Sequence, residues 1–123
     1  MAHHHEVWID TTQNRLYTRA KGFFTAAEVE KTIKPILEEL GKVKPGFDVI
    51  SDVSELSVGT PKAIEVMHRI FDIYVQKKFG RIVFVMGESL ARMQITRVAK
   101  EKGINLEIAN SIEEAERMLD EPQ

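Results

Sequence analysis

The sequence predicts an α/β domain built on one mostly parallel sheet of about five strands, with a β-hairpin at its start and four helices. Short segments that alternate in polarity, or that are wholly apolar, predict the strands. Longer segments with apolar residues three and four positions apart predict the helices. The segments follow the order β-β-α-β-α-β-α-β-α, and strands separated by helices form right-handed crossovers, which makes them parallel.

The first two strands, residues 6–10 and 15–21, alternate in polarity on either side of a turn-rich segment. They therefore predict a β-hairpin. Trp8 and Tyr17 lie on one face, where they can pair across the two strands. The inner face consists of Val7, Ile9, Leu16, Thr18 and Ala20.

The first helix is predicted to follow a capping box formed by Thr25 and Glu28 and to continue to about Leu40. Pro35 lies inside this helix and should kink it, because proline has no amide proton to donate. The remaining predicted elements are a strand at 47–53, a helix from Thr60 to about Phe79, a wholly apolar strand at 81–86, a helix ended by Gly103, a strand at 104–109 and a last helix after Ser111.

Composition restricts what the chain can be. Its 123 residues are 43% hydrophobic and 29% charged, which fits a single domain, placed at residues 6–120 after a disordered tail over residues 1–5. With 19 acidic and 17 basic side chains and a net charge of -2, the chain lacks the cationic excess that nucleic-acid binding needs. Cysteine is absent, which excludes disulfides and thiol catalysis, and we expect no metal or cofactor.

We expect a cytoplasmic location and no membrane span. No apolar run reaches the roughly 18–20 residues that cross a bilayer, and the N-terminus lacks the apolar stretch of a secretory signal.

The helix that begins at Pro61 has more apolar surface than one contact needs. Its apolar residues cover an arc of about 200°, against roughly 100° for a helix packed on one side only. Val66, Ile70 and Ile73 widen the arc. Packing on a neighbouring helix, a homodimer partner and a hydrophobic ligand all remain possible, and among the two functional explanations we prefer a symmetric homodimer.

Two short segments carry a family resemblance. Asp52-Val53-Ser54 ends the third strand, and Thr60-Pro61-Lys62-Ala63-Ile64 begins the following helix. With the order of elements over residues 6–119, they resemble the STAS domain, the SpoIIAA-like fold of anti-sigma-factor antagonists. That family has Asp-Leu-Ser at the first place and Asp-Ser-Ser-Gly-Leu at the second, where the first serine is phosphorylated.

The resemblance implies a fold and a role in binding proteins or small ligands, but not the phosphorylation switch. Pro61 stands where the family has the phosphorylated serine and has no hydroxyl. Its neighbour Thr60 is the other candidate for phosphorylation, although the position of a helix cap fits Thr60 better.

Polar residues at the carboxyl ends of parallel strands are candidates for binding a ligand or partner. Asp52 is the most notable, because it closes an apolar strand. A carboxylate that accepts backbone N–H bonds in the following loop explains it better than a catalytic group does. The candidates at this edge are Asp52, Ser54, Ser57 and Thr60.

Three functions remain open, in this order of preference. The first is a non-enzymatic regulatory domain that contacts a protein partner through the second helix and residues 54–60. The second is a carrier of a small, lipid-like molecule, similar to SEC14-type domains. It predicts an enclosed apolar pocket lined by Phe23, Phe24, Val66, Ile70 and Ile73. The third is an enzyme that uses Asp52 and His68, whose side chains must then approach each other.

Overall fold

The computed structural model describes residues 3–58, 61–87 and 90–121. The strands are β1 (His3–Asp10), β2 (Arg15–Phe24), β3 (Asp48–Val58), β4 (Ile82–Val85) and β5 (Leu106–Ala109). The helices are α1 (Ala26–Glu30), α2 (Ile33–Leu40), α3 (Pro61–Gln76), α4 (Leu90–Glu101) and α5 (Ile112–Asp120).

The five strands form one sheet in chain order, from β1 at one edge to β5 at the other. β1 and β2 are antiparallel, and every later pair is parallel, which confirms the predicted fold class. Because each right-handed crossover steps in the same direction, helices α1 to α4 all lie on one face of the sheet. Only α5, which follows the last strand, covers the other face.

The hairpin has the predicted faces. Trp8 and Tyr17 lie opposite each other, with ring centroids 5.2 Å apart and nearly parallel planes. β1 begins earlier than predicted, at His3, so the expected disordered tail is wrong for His3–His5. These residues join the sheet because β2 continues to Phe24 and offers backbone partners as far as Gly22, which pairs with His3.

The predicted first helix is divided into α1 and α2. The capping box of Thr25 and Glu28 is present. In place of the predicted kink at Pro35, the helix is interrupted earlier, at Lys31 and Thr32. There the Thr32 hydroxyl donates to the Val29 carbonyl over 2.6 Å. Pro35 is the third residue of α2, where an amide has no acceptor within its helix, so the ring is accommodated without the loss of a hydrogen bond.

The sheet separates two apolar clusters. The larger lies between the sheet and helices α1 to α4, and it contains Phe24, Phe71 and Phe84. The smaller lies under α5, around Tyr17, Ile50 and Ala115. No helix within the described residues is long and apolar enough to cross a membrane.

Candidate functional site

Asp52 does not close its strand as predicted, because β3 continues to Val58. It lies instead opposite Val85, the last residue of β4, and its side chain is bound within the chain. Its carboxylate accepts hydrogen bonds from the backbone N–H of Ser54 over 3.1 Å and from the Ser54 hydroxyl over 2.7 Å. The Arg19 Nε lies 3.4 Å from the other carboxylate oxygen. Asp52 thus has the backbone-bonding role that its sequence context favoured. A register shift between β2 and β3 follows directly after Asp52, and it redirects the side chains that come next.

The remaining edge candidates are spread along the end of β3 and the start of α3. Ser57 is exposed and lies opposite Phe23 of β2, whereas Thr60 lies outside the described residues. Pro61 is exposed and is the first residue of α3. A proline fits that position because its missing N–H would have no intrahelical acceptor.

Asp52 and His68 lie on opposite faces of the sheet. Asp52 is on the α5 face with its partner Arg19, whose guanidinium lies 5.8 Å from the centre of the Trp8 ring. His68 is on α3, which packs on the other face, and its Nε2 lies 3.7 Å from a Glu101 carboxylate oxygen. The enzyme hypothesis required these two side chains to approach each other, and the structure does not bring them together.

The wide apolar arc of α3 is covered by two neighbouring helices, α1 and α4. Val66 is buried, and Ile70 and Ile73 are half-buried against the main cluster. Packing within the fold therefore accounts for the arc, so this arc no longer supports the predicted homodimer. Of the large apolar residues on α3, Val75 stands out as 47% exposed.

A cavity of about 80 Å³ lies between the sheet and helices α1 to α3. Of the residues predicted to line an apolar pocket, Phe24 and Ile70 do so. Phe23 is 37% exposed on the surface, whereas Phe24 is in the core. Val66 and Ile73 do not border the cavity. Its other walls are mostly apolar side chains from α1, α2, α3 and the first four strands.

One wall of this cavity is polar. The Thr18 hydroxyl donates to the Ser51 hydroxyl over 2.7 Å, and Ser51 also hydrogen bonds with Tyr74. All three side chains are buried and line the cavity. Burial raises the pKa of Tyr74 far above that of a free phenol. Its hydroxyl therefore remains protonated.

His5 lies at another part of the cavity wall. Burial, with a smaller contribution from His4, lowers the pKa of His5, so the cavity borders a neutral imidazole at neutral pH. Thr18, Ser51, Tyr74 and His5 were not among the predicted site residues. The available signal was Ser51, a hydroxyl on the same strand face as Val49 and Val53, both of them buried.

Two strongly exposed apolar residues on α4 were not predicted as a surface feature. Leu90 and Met93, in the first turn of α4, are each 69% exposed. Only the three-dimensional arrangement places them outside the core.

The chain has a SpoIIAA-like fold. A crystal structure of an uncharacterized protein from the DUF3478 family, with a SpoIIAA-like fold, from Shewanella loihica PV-4 superposes with a TM-score of 0.73 and 18% identity, over 97% of this chain and 96% of the other. The anti-sigma factor antagonist SpoIIAA in its unphosphorylated form superposes with a TM-score of 0.60 and 16% identity, over 95% and 96% of the two chains. Neither a family model nor a curated protein sequence matches the chain.

Proposed function

We propose that this chain is a non-enzymatic regulatory domain that binds a protein partner at the carboxyl edge of its sheet, without a phosphorylation switch at the start of α3. The observation that carries the proposal is Pro61, which begins α3 and which the sequence resemblance aligns with the phosphorylated serine of the STAS family. The similarity to an anti-sigma factor antagonist over 95% of the chain supports a regulatory role.

The geometry of the edge supports contact with a protein rather than catalysis. Asp52 is held by Ser54 and Arg19, so its carboxylate is already bonded within the fold. Ser57, near the end of β3, and Lys62, in the first turn of α3, are both exposed. A catalytic site needs a base and a second polar group that converge on one pocket, and Asp52 and His68 do not converge.

Site-specific photo-crosslinking tests the proposal. A benzophenone amino acid is placed at Ser57 or Lys62 in the full chain, which is expressed in its native cells. The matched control position is Asn105, which is also exposed but directly precedes β5, at the amino end of that strand. We expect a crosslinked protein from the first two positions and none from Asn105. Equal crosslinking at all three positions, or none at any of them, contradicts the proposal.

The absence of a switch has its own test at Thr60. We expect Thr60→Val and Thr60→Glu to leave the crosslinking yield at Ser57 unchanged. Loss of the crosslink in Thr60→Glu alone would show that a negative charge at this position controls binding, as in a phosphorylation switch.

The cavity favours a second candidate function, the binding of a small hydrophobic molecule. A volume of about 80 Å³ holds a few carbon atoms, because one water molecule takes about 30 Å³. Pockets for drug-sized ligands measure roughly 300–1,000 Å³. The cavity therefore fits a small apolar group, and a lipid-like ligand would require it to widen.

Native mass spectrometry tests this candidate. Ala20 borders the cavity, so Ala20→Leu fills part of it. We expect a small bound molecule to accompany the wild-type chain and to be lost from Ala20→Leu. An unliganded mass for the wild-type chain would count against the carrier function and leave the protein-binding proposal unaffected.

A further inference from the structure

The outward side of α4 carries an exposed stripe of four residues, Leu90, Met93, Arg97 and Lys100. At 100° per residue they fall within an arc of about 80°. The buried residues of the same helix, Ile95, Val98 and Ala99, lie on the opposite side. The stripe therefore faces solvent along the whole helix, with two apolar residues at its start and two cations at its end.

Neither half of the stripe is fully used by contacts among the described residues. Leu90 and Met93 are each 69% exposed, so most of their apolar surface faces solvent. Arg97 and Lys100 are exposed and have no acidic partner among the described residues. By contrast, Glu101 and Lys102, on the flank toward α3, pair with His68 and Asp72.

We propose that this stripe docks an acidic amphipathic helix of a partner protein. The stripe runs from Leu90 to Lys100, a rise of about 15 Å along the helix axis, or about three turns. Apolar residues of the partner would cover Leu90 and Met93, and its carboxylates would pair with Arg97 and Lys100. The proposal rests on the proposed function, since it takes for granted that the chain acts through protein contacts.

The charges favour a protein partner over a membrane. Membrane attraction uses clusters of about four to eight cations, whereas the stripe offers two, in a chain whose net charge is -2. An anionic bilayer would repel the chain as a whole. An acidic helix needs only local complementarity and can match both cations.

Fluorescence anisotropy with the full chain tests the proposal. The probe is an 18-residue fluorescein-labelled peptide with leucines three and four positions apart and glutamates on its flanks. Its twin carries lysine in place of every glutamate. We expect the acidic peptide to bind at least about tenfold more tightly than the basic one, and to bind more tightly still as salt is lowered.

The variants separate the two halves of the stripe. We expect Met93→Ser to weaken binding of the acidic peptide at least about tenfold, and the double variant R97E/K100E to abolish the preference for the acidic peptide. Val75→Ser is the matched control, because Val75 is an exposed apolar residue on α3 outside the stripe. Circular dichroism of each variant verifies that it is folded, which we expect because these side chains face solvent.

Three results would overturn the proposal. The first is equal binding of the two peptides, and the second is a loss of peptide binding in Val75→Ser as large as in Met93→Ser. The third is binding of the protein to vesicles that contain 30% phosphatidylglycerol but to neither peptide. Each of them, combined with successful crosslinking at Ser57 and Lys62, would remove the α4 surface and leave the proposed function standing. Failure of both experiments would remove both.

Discussion

Ser51 is the middle residue of three buried, hydrogen-bonded side chains beside the cavity, with Thr18 and Tyr74 as its partners. Removing the Ser51 hydroxyl tests how these hydrogen bonds contribute to stability. In Ser51→Ala the Thr18 hydroxyl loses its acceptor, and Tyr74 loses its side-chain partner. Each buried polar group left without a partner costs about 1–3 kcal/mol. We therefore expect Ser51→Ala to lower the free energy of unfolding by about 2–6 kcal/mol, a large part of the roughly 5–15 kcal/mol of a typical domain.

The triple variant Thr18→Val, Ser51→Ala, Tyr74→Phe separates this cost from simple loss of hydrogen bonds. It removes the hydroxyls of all three hydrogen-bonded residues and keeps the side chains close to their original shapes. None of the three positions is then left with an unpaired polar group. We expect the triple variant to be more stable than Ser51→Ala alone, although it carries more substitutions. This non-additivity is what residues in one contact network produce.

Urea unfolding measures both variants, with the linear extrapolation giving the free energy in water. Trp8 is the single tryptophan of the chain, and its fluorescence reports the hairpin, while circular dichroism reports the helices. A loss below about 1 kcal/mol in Ser51→Ala would refute the reasoning, since it would mean that water enters the cavity and satisfies the two hydroxyls. A triple variant less stable than Ser51→Ala would refute it as well.

Three further predictions concern pH and backbone packing. Burial, and a hydrogen bond to a carboxylate of α5, raise the pKa of Tyr17 from 10.0 to about 12, so the free energy of unfolding should fall as the pH rises from 10 to 12. Urea unfolding at pH 9 and pH 11 should show a smaller fall in Tyr17→Phe. Burial lowers the pKa of His5 from 6.5, so the free energy of unfolding should decrease as the pH falls below 6.5. The decrease should be smaller in His5→Gln than in the control His4→Gln, and an equal decrease in both variants would contradict this. A methyl group at Gly80 would lie 2.7 Å from a carbonyl oxygen and a carboxylate oxygen, whereas one at Gly87 meets no atom within 4 Å. In thermal unfolding, Gly80→Ala should therefore lose about 1–3 kcal/mol of stability and Gly87→Ala less than about 0.5 kcal/mol.

Much of the fold could be predicted from the sequence because strand and helix periodicities differ strongly. The alternation around Trp8 and Tyr17 predicted both the hairpin and the pairing of these rings, and the capping box of Thr25 and Glu28 predicted the start of α1. The division after α1 could not be predicted, because periodicity continues across Lys31 and Thr32 and the break depends on how each half packs. The length of β1 was missed because its first residues are histidines, which have no strong preference for strands.

The candidate site was harder to predict, because its residues depend on which face of the sheet a side chain occupies. Asp52 and Ser54 were predicted at the end of the third strand, but β3 continues past them to Val58, because its pairing with β2 extends as far as Phe24. The separation of Asp52 from His68 depends on the alternation of side chains along β3 and on the single direction of the crossovers, which placed α3 on the other face. The hydrogen bonds from Thr18 through Ser51 to Tyr74 join β2, β3 and α3. These elements are far apart in sequence, so no local pattern indicates that the three side chains meet.

The position of α3 explains why the exposed apolar surface is found on α4. In the sheet order β1-β2-β3-β4-β5, the helix that follows β3 lies between the helices of the neighbouring crossovers, so both of its flanks are covered and its wide apolar arc is used within the fold. The helix that follows β4 is nearer the edge, with α3 on one flank only. It needs a narrower buried side, formed by Ile95, Val98 and Ala99, and no contact among the described residues explains why its outer side also has Leu90 and Met93. The proposed docking of a partner on α4 uses this uncovered side, and substitution of Met93 distinguishes it from recognition through α3.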